Sequence, residues 1–382
     1  MVIGDFFDEF HSGKSIESDK ISSTGNYPVF GGNGIRGYTD TFNQDGDYVI
    51  IGRQGAYCGN VHYYSGKSYL TEHAIVGKTK KEYNHVSVAY LLSLLKLYKF
   101  QGQSAQPGLS VETLSKITVK HPQYNFYGMG QILSSLDAKI ALNRRMNEEL
   151  EGMAKMLYDY WFVQFDFPNE EGKPYKSSGG AMEYNAVLKR EIPAGWKVKS
   201  IQEQFDVVME RISKEDTSQS NYAPIEVLPK RRMSFFECAP IESAISGLCK
   251  FEKFDVLLSN RRVYFHKVCI APFAGITRDT VIVLRPLNME RLPYAYQVLN
   301  TDHFISYATR HSYGTEQPVF SWDVTRKYYV AESNCSLEGE YSNRMKSLVQ
   351  KVIGLQHEIK NLTALRDKLL PLLMNGQVRV AD

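Results

Sequence analysis

Residues 132–162, ILSSLDAKIALNRRMNEELEGMAKMLYDYWF, read as one long amphipathic helix. From Leu133 the inward positions fall at Leu136, Ile140, Asn143, Asn147, Leu150, Ala154, Leu157 and Trp161, in alternating steps of three and four. That alternation is a heptad seam, which faces a partner helix, and not the wider stripe of a helix lying on a globular core. A second seam near the C-terminus runs Tyr341, Met345, Leu348, Val352, Leu355, Ile359, Leu362, Arg366 and Leu369. A shift of 219 positions lays Leu133 on Val352, Leu136 on Leu355, Ile140 on Ile359 and Leu150 on Leu369, so the two seams agree in register as well as period. Each helix is preceded by a globular segment of similar length, and the chain is an internal duplication.

Outward from the helices, the order expected is a globule at 1–130, a helix at 131–162, a connector at 163–190, a second globule at 191–335, a second helix at 336–376 and a tail at 377–382. In the first globule residues 48–51, 69–76 and 117–119 read as strands, and 86–100 as a helix. The second repeats the order, with strands expected at 255–258, 268–271 and 280–284. Both globules are of mixed α+β type. Residues 47–53 align with 255–261, which sets Arg53 on Arg261, and Ala89-Tyr90 aligns with Ala295-Tyr296. Gln106-Pro107 aligns in turn with Gln317-Pro318. The stretches 27–38 and 261–273 have no counterpart, so the frame is repeated and the loops are not. The connector, rich in Gly, Pro and Ser, is expected to be extended and polar.

With 382 residues and 43% hydrophobic composition the chain has room for two cores. The apolar run at 88–95 is broken by Ser93 and is far too short to span a bilayer, and the N-terminus lacks a signal pattern, so a cytoplasmic protein without membrane contact is expected. Five scattered cysteines, Cys58, Cys238, Cys249, Cys269 and Cys335, show no ligand spacing and suggest a reducing compartment without a zinc site. A net charge of +3 permits a nucleic-acid partner without demanding one.

Catalytic patterns fail on context. Gly32-Asn33-Gly34-Ile35-Arg36-Gly37 satisfies a dinucleotide fingerprint in letters, but Tyr38 to Phe42 continue as strand and turn where a helix is required. Asp166, Glu171 and Lys173 lie in the connector, without a scaffold for a cation. The nine histidines have no helical metal spacing, no serine sits in a nucleophile elbow, and no Pro-Pro pair supplies the loop of an amino-methylating enzyme. No catalytic residue and no metal ligand is assigned.

The loops instead mix residues suited to DNA. Arg, Gln and Asn form bidentate contacts to guanine and adenine, Tyr offers a flat contact, and Gly admits backbone to the duplex. In the first globule these are Asn33, Arg36, Arg53, Gln54, Tyr57 and Gln106, with Gln103; in the second, Arg231, Arg232, Arg261, Arg262, Arg310, Tyr313 and Gln317, with Lys230 and His311. A 30-residue helix, at about 1.5 Å per residue, would hold two such modules roughly 45 Å apart, some 13 base pairs. The polar seam residues Asn143, Asn147 and Arg366 are suited to fixing register.

The runs YPVFGGNGIRGY, IGRQGAYCGNVHYY, TEHAIV, AQPGLSVETLSKI, the segment from LDAKIALNRRMNEELEGMAK to GGAMEYN, REIPAGW and RDKLLPLLMNGQVRV resemble the DNA-specificity subunit of type I restriction-modification systems. RRVYFHKVCIAPF and HSYGTEQPVFSWD resemble a second, different target-recognition domain of that family. The first globule starts at Met1-Val2-Ile3 without the lead-in that Ile192-Pro193-Ala194-Gly195-Trp196 gives the second. The resemblance implies two tandem target-recognition domains separated by two helices packed as an antiparallel coiled coil with pseudo-twofold symmetry. It implies a non-catalytic subunit in which each domain reads half of a bipartite asymmetric site. The coiled coil would set the gap and dock two methyltransferase subunits, endonuclease subunits would join, and S-adenosylmethionine, ATP and Mg would belong to those partners. Arg144, Arg145, Glu148 and Glu149 on the exposed helix faces are the docking residues expected. The rival expectations are an enzyme in its own right and a coiled-coil adaptor with protein-binding globules.

Overall fold

In the computed structural model the described residues are 1–55, 57–100, 108–120, 125–213, 221–245, 247–333 and 335–380. The N-terminal segment builds strands β1 (Phe7–Ser12), β2 (Tyr27–Gly31), β3 (Gly34–Thr39), β4 (Asp47–Gly52), β5 (Val61–Ser65), β6 (Tyr69–Leu70) and β7 (Ala74–Thr79). Helices α1 (His85–Leu94), α2 (Val111–Ser115) and α3 (Phe126–Tyr158) follow. Four strands form one sheet in the order β1-β7-β4-β5, and β3-β2-β6 form a second. β4 reads Tyr-Val-Ile-Ile and is buried on both faces, as a β-branched central strand should be. Asn84 caps α1 by accepting from the Val86 and Ser87 N–H groups, an arrangement typically worth about 1 kcal/mol.

The later segment builds β8 (Met182–Asn185), β9 (Arg190–Pro193), β10 (Lys197–Ser200), β11 (Phe205–Val207), β12 (Arg211–Ile212), β13 (Leu248–Phe251), β14 (Val256–Ser259), β15 (Val268–Ile270), β16 (Gly275–Arg278) and β17 (Val281–Pro286). It continues with α4 (Leu292–Leu299), α5 (Asp302–Arg310), β18 (Tyr329–Glu332) and α6 (Cys335–Met374). Its main sheet, β11-β17-β14-β15, repeats the order of β1-β7-β4-β5. The chain divides into two compact units, Met1–Ile140 with Leu362–Asp382, and Ala141–Asn361, so the division falls within α3 and α6 and not at their ends.

The seam residues are largely covered. Leu133, Ile140, Asn143, Asn147, Val352 and Leu355 are buried, and Leu136, Leu150, Leu157, Ile359, Leu362 and Leu369 are half-buried. Each of the fully buried apolar side chains contributes about 1.5–3 kcal/mol. In the first unit Arg366 pairs with Asp137 at 2.9 Å, and the same carboxylate accepts from the Tyr63 and Tyr90 hydroxyls at 2.5 and 2.6 Å. One α3 side chain thus ties β5, α1 and α6 together. In the second unit the Tyr341 hydroxyl donates to the Ala154 carbonyl at 3.0 Å. Asn143 and Asn147 carry amides with no partner among the described residues, each buried to 1% exposure or less.

Three local expectations are corrected. Residues 69–76 are two strands, because Thr71, Glu72 and His73 break the run between β6 and β7. Residues 117–119 form no strand; Thr118 makes a single bridge to Val2. The connector is not extended. α3 leaves through a wide π-helical turn, Asp159–Val163, in which the Gln164 N–H donates to the Asp159 carbonyl at 2.8 Å. The chain then folds on itself: Asp166 accepts from the Ser177 N–H and hydroxyl, Phe167 stacks between Tyr175 and Trp196 at 4.6 and 5.3 Å, and β8 pairs with β9. The aromatic contacts are long-range, and local polarity conceals them.

Candidate nucleic-acid interface

In the first unit two loops converge. The β2–β3 turn presents Asn33 and the start of β3 presents Arg36, both exposed, and the segment after β4 presents Arg53, Gln54 and Tyr57. Their approach needs glycine: a Cβ on Gly52 would stand 2.3 Å from the Gly32 carbonyl oxygen and 2.6 Å from that of Tyr57. The Arg53 N–H donates to the His73 carbonyl at 2.9 Å, and its guanidinium to the Glu72 carbonyl at 3.4 Å. The His73 Nδ1 donates to the Gln54 Oε1 at 3.1 Å, since a carbonyl oxygen can only accept. Gln103 and Gln106 lie outside the described residues.

Sequence reading missed the segment Thr71-Glu72-His73. The Thr71 Oγ1, Glu72 Oε2 and His62 Nε2 are the buried side-chain polar atoms of the first unit that lack a hydrogen-bond partner among the described residues. Two of them flank the β2–β3 turn: a Cβ on Gly31 would lie 3.8 Å from Thr71 Oγ1, and one on Gly34 3.9 Å from His62 Nε2. Each such orphan typically costs about 1–3 kcal/mol. Burial also pushes the His62 imidazole below its ordinary pKa. The signal available was TEH standing directly before an apolar strand.

In the second unit Arg261, Arg262, Tyr313 and Gln317 come together. The Arg262 N–H donates to the Pro318 carbonyl at 2.9 Å, and its guanidinium to the Glu316 carbonyl at 3.3 Å. Tyr313 and Val319 exchange backbone bonds of 3.0 and 2.8 Å, and Arg261 bridges to Val319. Arg310, exposed, ends α5. Arg262, His266 and Arg231 all adopt left-handed backbone, with φ of 47°, 54° and 53°. Such backbone costs on the order of 1–3 kcal/mol for each residue and is held by the surrounding hydrogen bonds.

Arg231 and Arg232 are not part of that group. Arg231 bonds Asp302 at 2.9 Å and is held through its N–H by the His266 carbonyl. Arg232 bonds Glu148 and stands 3.7 Å from Glu151, so two α3 carboxylates hold it against the helix. Burial pushes the Glu151 carboxyl up to about 7, although the Met233 N–H and Arg232 favour its charge. A carboxyl raised in the folded state binds its proton more tightly there, so this group's contribution to stability falls as pH rises from about 4.5 through 7. Glu151→Gln is expected to stabilise the protein at pH 8 by up to about 3 kcal/mol, a gain that vanishes below pH 4.5. Urea unfolding of both proteins across that range measures the difference.

The two units share one hydrogen-bonded frame. β4 ends at Gly52 opposite Ala74, and β14 ends at Ser259 opposite Val281. The next N–H donates across the sheet in both: Arg53 to the His73 carbonyl at 2.9 Å, Asn260 to the Thr280 carbonyl at 3.0 Å. Their carbonyls accept from the Leu109 and Phe320 N–H groups at 2.9 and 2.8 Å. Their side chains donate to the Glu72 and Asp279 carbonyls, and the following residues, Gln54 and Arg261, bridge to Gly108 and Val319. The expected alignment of Arg53 with Arg261 is therefore corrected by one position: Arg53 corresponds to Asn260, and Gln54 to Arg261. The second unit also places orphan polar atoms here, Asn260 Oδ1, Arg278 Nε and Thr280 Oγ1.

Of the residues expected at a partner surface, Arg144, Arg145, Glu148 and Glu149 are all exposed; Arg145 pairs with Glu149 at 2.8 Å and Glu148 with Arg232. Nearby Met153 and Met156 are 60% and 71% exposed. Among the described residues no cluster of three His, Cys, Asp or Glu side chains could hold a metal, and no helix is long and apolar enough to cross a membrane.

Residues 1–152 match the family described as the type I restriction modification DNA specificity domain. The chain is 44% identical over 96 residues to the type I restriction enzyme EcoprrI specificity subunit of Escherichia coli, covering 25% of this chain and 24% of that one. It is 26% identical over 301 residues to the MjaIX specificity subunit of Methanocaldococcus jannaschii, covering 75% of this chain and 66% of that one. The matches thus span about a quarter and just under two thirds of those relatives. Among solved structures, the S subunit of a type I restriction-modification system from M. genitalium superposes with a TM-score of 0.67 at 16% identity, over 97% of this chain and 94% of that one, a likeness of fold.

Proposed function

We propose, for a chain that carries a type I restriction modification DNA specificity domain in residues 1–152 and resembles specificity subunits beyond it, that the whole chain is the sequence-reading subunit of such a system. It is not itself an enzyme. Its two target-recognition domains stand in tandem, and each reads half of a bipartite asymmetric site in double-stranded DNA. α3 and α6 pair as an antiparallel coiled coil that sets the gap. Their outer faces, with Arg144, Arg145, Glu148 and Glu149, dock two methyltransferase subunits, which endonuclease subunits join in the cytoplasm. S-adenosylmethionine, ATP and Mg serve chemistry in those partners.

The observation that carries this reading is the duplicated frame holding unlike side chains. A conserved backbone scaffold with Gln54 and His73 in one copy and Arg261 and Thr280 in the other suits two reading surfaces for two different sequences. Sequencing of modified bases in DNA from a methylation-free host expressing this chain with its methyltransferase subunit tests it. One split motif, absent when this chain is omitted, is the expected result; an assembled complex that methylates no motif would defeat the proposal. Arg36→Ala is expected to weaken specific binding by about 1–3 kcal/mol, measured by titration of the assembled complex with its site.

A further inference from the structure

We infer that the residue following the shared cross-sheet bond, Gln54 in the first unit and Arg261 in the second, is the purine-reading position of each half, Gln54 for adenine and Arg261 for guanine. The inference rests on the DNA-reading function proposed above and adds which base each half recognises at this position.

The equivalence comes from backbone geometry. In both units the residue before the reader donates its N–H across the sheet, to His73 or to Thr280, and the reader bridges to the strand-like segment at Gly108 or Val319. Its Cα is thus placed by the sheet while its side chain is free to differ. A fixed scaffold with an exchanged side chain is what a change of base preference at constant fold requires.

The chemistry of each side chain then selects the base. The Gln54 amide is oriented by His73, whose Nδ1 donates to Oε1 at 3.1 Å. That oxygen keeps a second lone pair, and the Nε2 has no partner among the described residues. An acceptor beside a donor in one plane matches the N6 amino group and N7 of adenine in the major groove. His73 is the positioning residue, because it decides which end of the amide is the acceptor. In the second unit the Ser259 hydroxyl donates to the Arg261 carbonyl at 2.7 Å, holding its backbone, and the Arg261 guanidinium has no partner among the described residues. A free guanidinium fork matches the two acceptors, O6 and N7, of guanine.

Three variants, Gln54→Glu, Arg261→Gln and His73→Ala, are expressed with the methyltransferase subunit in a methylation-free host, and the modified motif is read from each. If the unaltered protein yields no motif, the DNA-reading function fails and this inference with it. If it yields a motif, Gln54→Glu is expected to lose adenine at one position of one half-site only. Arg261→Gln should lose guanine, by about tenfold to a hundredfold in discrimination, at one position of the other half-site. His73→Ala should relax the same position as Gln54→Glu. Motifs unchanged in both reader variants would overturn the inference, as would changes spread over both half-sites.

Where a variant assembles but methylates nothing, binding to single-base variants of the site decides. Recovery by one purine change supports the inference, and recovery by none overturns it. If Arg261→Gln does not fold, Arg261→Lys keeps the charge and the packing without the fork, and an undiminished guanine preference in that protein overturns the assignment.

Discussion

Asp137→Ala is expected to destabilise the first unit by about 3–5 kcal/mol, the usual penalty for removing one partner of a largely buried charged pair. The carboxylate receives the Tyr63 and Tyr90 hydroxyls and the Arg366 guanidinium, and it is 20% exposed. Its loss leaves two phenols without their acceptor and a cation whose remaining carboxylate neighbour is Asp367. Burial, the larger of the effects that raise both phenols above their ordinary pKa, persists in the variant and opposes relief by ionisation of either tyrosine. Because the three partners sit on β5, α1 and α6, hydrogen exchange should quicken in all of them. Urea unfolding measures the total, and a loss below about 1 kcal/mol would mean that water replaces the carboxylate without penalty.

The opposite sign is expected in the second unit. Asn143→Leu combined with Asn147→Leu should stabilise it by about 2–4 kcal/mol, because two buried amides without partners each cost about 1–3 kcal/mol and leucine fills a similar volume. The gain should come with a loss of uniqueness, since polar seam residues specify register at the expense of stability. Thermal unfolding reads the first effect, and the dispersion of amide signals or of cross-link positions along α3 and α6 reads the second. A destabilised double variant would show that the amides are satisfied by water.

What the sequence disclosed follows from the range of the interactions. The heptad alternation from Leu133 to Trp161 is written in neighbouring residues, and the buried strands announce themselves as β-branched runs such as 48–51 and 255–258. The folded connector was hidden, because Phe167 gains its meaning only when Tyr175 and Trp196 stack on it. The alignment of the two copies slipped by one residue because like side chains, Arg53 and Arg261, drew together. Hydrogen bonds, which a sequence does not display, pair Arg53 with Asn260 instead. The loops proposed to read DNA were chosen by composition. Thr71, Glu72 and His73 were missed because such residues are ordinary before a strand, and only the unpartnered Thr71 Oγ1 and Glu72 Oε2 atoms mark the segment out.

The π-helical turn Asp159–Val163 bears on how this chain tolerates insertions and deletions. A π turn holds one residue more than an α turn, the usual trace of a single-codon insertion absorbed without rewinding the helix before it. Here it lets the consecutive Trp161 and Phe162 both face inward, at 2% and 6% exposure, whereas adjacent residues of a regular helix point roughly 100° apart. Excising one codon between 159 and 163 would restore an unbroken helix and expel one aromatic ring from the core. The change in length would register as lost packing, so the length of that stretch matters to the core as much as its composition does.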